Sequence, residues 1–390
     1  MEKKVLFVAT KDIHFDAFHL PTFKWFEENG YKIHTAAVGD LDLPFVDQRH
    51  DIPIQRSPFS LKNIIAYQEL KKIMDQHSYQ IIHCHTPMGG VLSRLAARTT
   101  RMKGTKVIYT AHGFHFCKGS PFINWMMYYP IEKSLARMTD CLITINNEDY
   151  QLAKERKFKA VTIKHVHGVG VDNERFHPIS AFSKSVLRSE HGYKNKEFIL
   201  FYAAEFNKNK NQQLLIRALS SVKEKIPQAK LLLAGTGPLL EECKKSAVRL
   251  GVEHMVDFLG FRKDIDSLLK ISDLAVASSL REGLPVNIME AMSSGLPVIA
   301  TKNRGHMELI QQEKNGYLIP SEDDKQFSIR ILELFHSIEQ REKMGKMSEK
   351  IINATYTLAV VRSELNQIYT GYMVEDTNEE SGNKYYRTYI

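Results

Sequence analysis

The chain has 390 residues, of which 43% are hydrophobic and 25% charged, the proportions of an ordinary soluble globular protein. Its length is more than one hydrophobic core usually supports, so two domains are expected. No run of about 18 apolar residues is present, which excludes a bilayer-spanning helix, and the net charge of +8 calls for an anionic partner.

That partner is a nucleic acid, an acidic membrane surface or a phosphorylated substrate. No zinc-finger spacing or dense basic stripe occurs, so nucleic acid ranks last and none is expected. Cys84, Cys117, Cys141 and Cys243 are scattered without a CxxC pair. They give no disulfide framework and fit a reducing, cytoplasmic setting. Lys3-Lys4 followed by Val5–Ala9 imitates a secretion leader. The apolar run is too short, however, and Lys11-Asp12 ends it, so it reads as a first buried strand.

In chain order, a strand is predicted at 5–10. A helix follows at 15–29, with Phe18, Phe23 and Phe26 at helical spacing and Asn29-Gly30 as its stop. Strands at 31–38, 80–84, 106–110, 141–145 and 162–166 alternate with helices at 61–76, 88–101 and about 122–137. Such alternation predicts a parallel sheet covered by helices. The stretch from His167 to Pro178 breaks the pattern and is expected to be a hinge. A second alternating half follows, with strands at 198–203, 230–234, 256–259, 274–277 and 298–300. Its helices are expected at about 212–225, 239–250, 264–270 and 286–294. A long polar-amphipathic helix or helix pair fills 323–373, and the polar end from Glu375 reads as a frayed tail. The expected layout is 1–178, 179–352, a C-terminal helix 353–374 packing back on the first domain, and a flexible tail 375–390.

The stretch that organises the chain is 278–292. An apolar strand, Leu274–Ala277, passes through Gly283 into a helix, with Pro285 suited to its first position. Backbone N–H groups of Leu284 to Asn287 then point from a helix start at an anion such as a diphosphate. Glu282 and Glu290 bracket that site, placed to accept hydrogen bonds from sugar hydroxyls. This spacing, with Gly283 and Pro285 inside it and Ala291-Met292 after, resembles the E-x7-E motif of the family 4 retaining glycosyltransferases. Gly295–Thr301, Gly305 with Glu308, and Asn315–Leu318 resemble the same family's downstream pattern. The resemblance implies the GT-B architecture: two Rossmann-like, doubly wound domains facing across a cleft.

The resemblance also implies roles for single residues. Glu282 contacts the donor sugar and Glu290 the ribose. Lys210 aligns with the lysine that neutralises the donor diphosphate. The family often has an arginine five positions earlier; here that position is Glu205, and Lys208 is a substitute. Gly235 and Gly237 form a strand-to-helix turn that either is structural only or lines the donor pocket. Arg262 borders the base. His112, after a strand facing the cleft, orients donor or acceptor hydroxyls. The four histidines ending this strand and its neighbour, at 83, 85, 112 and 115, could together bind zinc, although they lack a recognised ligand spacing. Asp40-Leu41-Asp42 and Asp264-Ile265-Asp266 read as surface acids, so no metal or cofactor is expected.

Asp75 to Glu132 contains no acidic residue between them, while Arg94, Arg98 and Arg101 accompany Phe114, Phe116 and Trp125. Either this stretch docks peripherally on an anionic membrane, or its aromatics are core and its arginines solvated. The resemblance implies transfer of a sugar from a nucleotide-sugar, a UDP-sugar, to a polysaccharide or lipid-linked oligosaccharide in capsule or exopolysaccharide synthesis. A UDP-sugar 2-epimerase and a non-catalytic nucleotide-sugar-binding subunit are the alternatives.

Overall fold

The computed structural model describes residues 2–373; the tail expected at 375–390 lies outside them. The first domain is built on seven parallel strands: β1 (Lys4–Lys11), β2 (Lys32–Val38), β3 (Gln48–Asp51), β4 (Ile81–His85), β5 (Lys106–Ala111), β6 (Cys141–Thr144) and β7 (Thr162–His165). Their order across the sheet is β3-β2-β1-β4-β5-β6-β7. The second domain repeats the plan with six: β8 (Phe198–Ala203), β9 (Ala229–Ala234), β10 (Val256–Gly260), β11 (Leu274–Ala277), β12 (Val298–Thr301) and β13 (Gly316–Ile319). These run parallel in the order β10-β9-β8-β11-β12-β13. The central strands are near-continuous apolar runs because helices cover both faces of each sheet.

In each sheet the strand order reverses beside the strand that starts the domain. β1 lies next to β4, and β8 next to β11. Loops leaving such neighbours go to opposite faces, and the crevice between them is where open α/β sheets bind ligands.

Three helices end the described chain, at Asp324–His336, Ile338–Thr355 and Leu358–Thr370. The last returns to the first domain. Val361 and Tyr369 are buried in one cluster with Phe7, Phe23 and Phe26. The Tyr369 hydroxyl bonds His83 Nδ1 at 2.8 Å.

Several boundaries differ from the sequence reading. The helix expected at 15–29 is two, Ile13–Phe18 and Leu20–Glu28. Pro21 cannot continue a helix from upstream but suits the first turn of a new one. Phe15, not Phe18, joins Phe23 and Phe26 in the core. The helix at 88–101 is likewise two, Pro87–Ala96 and Arg98–Met102. β3 (Gln-Arg-His-Asp) is a polar edge strand with no apolar signal.

Candidate functional site

Consider first the β8/β11 crevice. β11 leads into Ser278 and Ser279, both buried. The Ser278 hydroxyl donates to the Lys210 carbonyl at 2.7 Å. The Ser279 carbonyl accepts from Asn303 Nδ2 at 2.9 Å and from the Thr301 hydroxyl at 2.5 Å. These bonds fix the loop that carries Glu282. Across the crevice, Lys210 Nζ meets Glu282 Oε1 at 2.5 Å. The helix that follows is Val286–Ser293. Pro285 is its N-cap with ψ 114° rather than its first helical residue, so the turn begins one residue later than expected. The first amides of this helix have no intrahelical acceptor and face an anion favourably. Asn287 holds the helix start to the sheet by donating from Nδ2 to the Ala203 carbonyl at 2.9 Å.

Glu290 lies on the same short helix, about two turns beyond Glu282 along the chain. Its carboxylate makes no hydrogen bond among the described residues. Burial pushes its pKa up to about 7, against the pull of Arg175. A carboxyl buried without a donor suits a ligand hydroxyl that supplies one.

The loops after β8, β9 and β10 are joined beside this crevice. Gly235 N donates to the Gly260 carbonyl at 2.7 Å and Phe206 N to the Thr236 carbonyl at 2.9 Å. Gly235 (φ +143°) and Gly237 (φ +153°) are needed for this approach. A Cβ would lie 2.1 Å from the Ala204 carbonyl at the first and 2.5 Å from the Phe206 carbonyl at the second. Glu205 and Lys208 are exposed, and the Glu205 carboxylate accepts from Asn207 Nδ2 at 3.0 Å. Arg262 is engaged by Asp264 at 2.5 Å.

The two domains meet at Gly283 and Gly113. A Cβ on Gly283 would lie 2.6 Å from the His112 carbonyl. Arg304, on the helix Arg304–Leu309, clasps them together. Its Nε donates to the Glu282 carbonyl at 3.1 Å and its Nη2 to the Phe114 carbonyl at 3.0 Å. Its Nη1 pairs with the fully buried Asp149. The Glu308 carboxylate accepts from Asn147 N at 3.0 Å. Arg304 and Asp149 were not singled out by sequence. Neither stands in a recognisable motif, and they come together only through the docking of two domains.

With this geometry in place, similarity decides the family. Over 381 residues, covering 98% of this chain and 100% of the other, the chain is 49% identical to the protein named "Putative glycosyltransferase EpsD" of Bacillus subtilis (strain 168). The chain belongs to the group 1 glycosyltransferases. The family description "Glycosyl transferases group 1" matches residues 183–351, and "Glycosyl transferase 4-like" matches residues 4–146. An Escherichia coli UDP-Gal:alpha-D-GlcNAc-diphosphoundecaprenol alpha-1,3-galactosyltransferase is 31% identical over 68% of this chain and 69% of its own. The crystal structure of Anabaena HepE with UDP and glucose superposes with a TM-score of 0.78 at 19% identity, covering 95% of this chain and all of that one. The fold is GT-B. Nothing in these comparisons supports the epimerase alternative.

In this glycosyltransferase His112 belongs to a histidine cluster at the β1/β4 crevice. One nitrogen from each of His14, His19, His85 and His112 lies within 4.8 Å of the others. His85 Nδ1 is 3.3 Å from His112 Nε2, and His14 Nε2 is 3.3 Å from His19 Nε2. Burial lowers the pKa of His112 to about 3 and that of His14 to about 4. Neutral imidazoles can accept from sugar hydroxyls or hold a metal ion.

The basic and aromatic stretch proves to be structural at most of its nominated positions. Arg94 is 1% exposed and pairs with Glu132 at 2.8 Å. Arg101 grips both Asp140 oxygens, at 2.9 and 3.0 Å. Phe114 and Phe116 are buried and stacked on each other, and Trp125 packs against Phe116. Arg98 remains exposed. The acidic partners of these arginines stand at or beyond the acid-free interval, where a local count misses them. Among the described residues no helix is long and apolar enough to cross a membrane.

Proposed function

We propose that this glycosyltransferase moves a sugar from a UDP-sugar, with retention at the anomeric carbon, onto a lipid-linked or polysaccharide acceptor in cell-surface polysaccharide synthesis. The observation that carries the reading is the meeting of Lys210 and Glu282 in the β8/β11 crevice beside the start of helix Val286–Ser293. UDP in the HepE structure and the UDP-Gal of the E. coli relative's name support the donor class. EpsD supports glycosyl transfer through its likeness over the whole chain, and the diphosphoundecaprenol of the E. coli relative's name supports a lipid-linked acceptor.

In this reading the helix start and Lys210 hold the donor diphosphate. Glu282 accepts from the sugar hydroxyls and Glu290 from the ribose. A fixed cation beside the leaving diphosphate stabilises the charge that builds as the bond breaks. Lys210 and the helix dipole balance that charge, and no metal is required. The bond from the anomeric carbon to the phosphate oxygen breaks on the face where the acceptor oxygen bonds to that carbon. The acceptor's proton passes to the departing phosphate. His112, whose carbonyl faces Gly283, orients the hydroxyls of donor or acceptor.

A panel of nucleotide-sugars in thermal-shift format finds the donor, because a ligand of the folded state raises its melting temperature. NMR of the product then reads the anomer. An α-linked product from an α-linked donor is expected, and an inverted product overturns the proposed stereochemistry. Stabilisation by no nucleotide-sugar overturns the donor reading.

A further inference from the structure

The histidines that sequence groups, at 83, 85, 112 and 115, are regrouped by the fold. His83 has both ring nitrogens engaged, Nε2 with the Thr110 hydroxyl and Nδ1 with the Tyr369 hydroxyl, each at 2.8 Å. His115 stacks on Tyr128 with ring centroids 4.7 Å apart. Their places beside His85 and His112 are taken by His14, on the helix Ile13–Phe18, and by His19, which follows it. His85 ends β4 and His112 follows β5. Three separate parts of the first domain therefore meet in one cluster.

Among the described residues, none of these four rings hydrogen-bonds a group beyond the cluster. Their bonds are His14 Nε2 with His19 Nε2 and His85 Nδ1 with His112 Nε2, each at 3.3 Å. That separation is long for an N–H donor. His85 Nε2 is buried without any partner. Buried polar groups are normally satisfied within the fold, as both nitrogens of His83 are. Rings committed only to one another call for a ligand between them. A cavity of about 30 Å³ lined by His19, His85 and His112 lies against the cluster, room for one water-sized group. Burial keeps all four rings uncharged, the form in which imidazole binds a metal.

The spacing selects among metals. Zn–N bonds of about 2.0–2.1 Å at tetrahedral angles place nitrogens about 3.3–3.4 Å apart. The two bonded pairs already stand at 3.3 Å. One nitrogen of each ring lies within 4.8 Å of the others, so ring rotations on the order of 1 Å complete the tetrahedron. Imidazole donors suit zinc, copper, iron and nickel, but copper(II) and nickel(II) favour square-planar arrangements. We propose that His14, His19, His85 and His112 hold one zinc ion in a closed tetrahedral site, which pins the helix Ile13–Phe18 to the ends of β4 and β5 and fixes the tautomer of His112.

Four protein ligands leave no open position, so the ion is structural and takes no part in balancing the donor diphosphate. With Nε2 on the metal, His112 must carry its proton on Nδ1. It then offers a sugar hydroxyl a hydrogen-bond donor rather than an acceptor. This consequence rests on the role given to His112 above, whereas the metal site does not.

The test uses the full-length chain without a histidine tag. His34, His50 and His77 form a second group of three histidines, so a His50→Gln/His77→Gln background removes their contribution. Calorimetric titration with zinc should then find one site. His14→Gln and His85→Gln should each weaken it at least about a hundredfold, since each removes a ligand. His14 is half-buried, so its variant should fold even if the His85 variant does not. Cobalt(II) in the same background should give the intense visible bands of a tetrahedral site, a readout that needs no ligand variant. Nitrogen-15 spectra of the zinc-loaded chain should show His112 protonated at Nδ1. Absence of zinc binding, in which case the rings only share protons, would overturn the proposal. So would the pale spectrum of octahedral cobalt, zinc affinity unaltered by His14→Gln, or His112 protonated at Nε2 when zinc is bound. UDP that binds where zinc does not leaves the donor reading standing and overturns the metal site alone.

Discussion

At the scale of single residues, Glu290 makes the clearest statement. Its carboxyl is held near pKa 7 in the folded chain against an ordinary 4.5. The folded state therefore keeps a proton that the unfolded chain releases at lower pH. Stability contributed by this group is present below about pH 4.5 and is lost as pH rises through about 7. Glu290→Gln should therefore melt higher than the parent at pH 8, with the difference vanishing at pH 4; thermal melts across that range check it. A ribose hydroxyl donating to the ionised carboxylate would lower the same pKa, so UDP binding near pH 6.5 should release more protons from the parent than from the variant, in which only the UDP phosphate contributes. Arg94 and Arg98 make a second contrast. Arg94 is buried with Glu132, while Arg98 is exposed. Arg94→Met should cost about 3–5 kcal/mol, because it leaves a buried carboxylate unpaired. Arg98→Ala should stay within about 0.5 kcal/mol. Urea unfolding of both separates them.

At the scale of elements, the turn from β9 into the following helix decides the shape of the Lys210 loop. Gly237→Ala would drive its Cβ to 2.5 Å from the Phe206 carbonyl. It should lower stability by more than about 1 kcal/mol and weaken UDP. Gly104→Ala is the control, since its Cβ meets nothing within 4 Å at φ +111°; it should leave UDP affinity alone. Much of the element plan was legible in the sequence. Buried parallel strands are apolar throughout, so β1, β5, β8, β9 and β11 announce themselves. What was illegible follows from physics. β3 is polar because it is a sheet edge, and β13 opens on a glycine, Gly316, so close to Val298 that a Cβ would lie 2.0 Å from its carbonyl. The break at His19 depends on a proline that reads equally well as a helix start or a helix end. The pairing of Lys210 with Glu282, which are 72 residues apart, could be anticipated only through a motif that names both. The clasp of Arg304 on Asp149 had no motif to name it.

At the scale of the whole molecule, two similar sheets are held face to face by few polar contacts near the reaction centre. Arg304 reaches Glu282, Phe114 and Asp149, and so joins the donor loop to the loop after β5 and to the helix Asn147–Glu155 after β6. Arg304→Ala should let the domains separate without unfolding either. Small-angle scattering of the free protein should then show a larger radius of gyration, and UDP should narrow the gap. The account depends most on the β8/β11 crevice being the place where the nucleotide's phosphates and sugar are gripped. Calorimetric titration of UDP into the parent chain, Lys210→Ala and Glu290→Gln tests this most directly. One site is expected in the parent, with affinity lower by about tenfold or more in each variant, the loss of a charged hydrogen-bonding partner. Unchanged affinity in both variants, with UDP still bound, would place the nucleotide elsewhere and contradict the account.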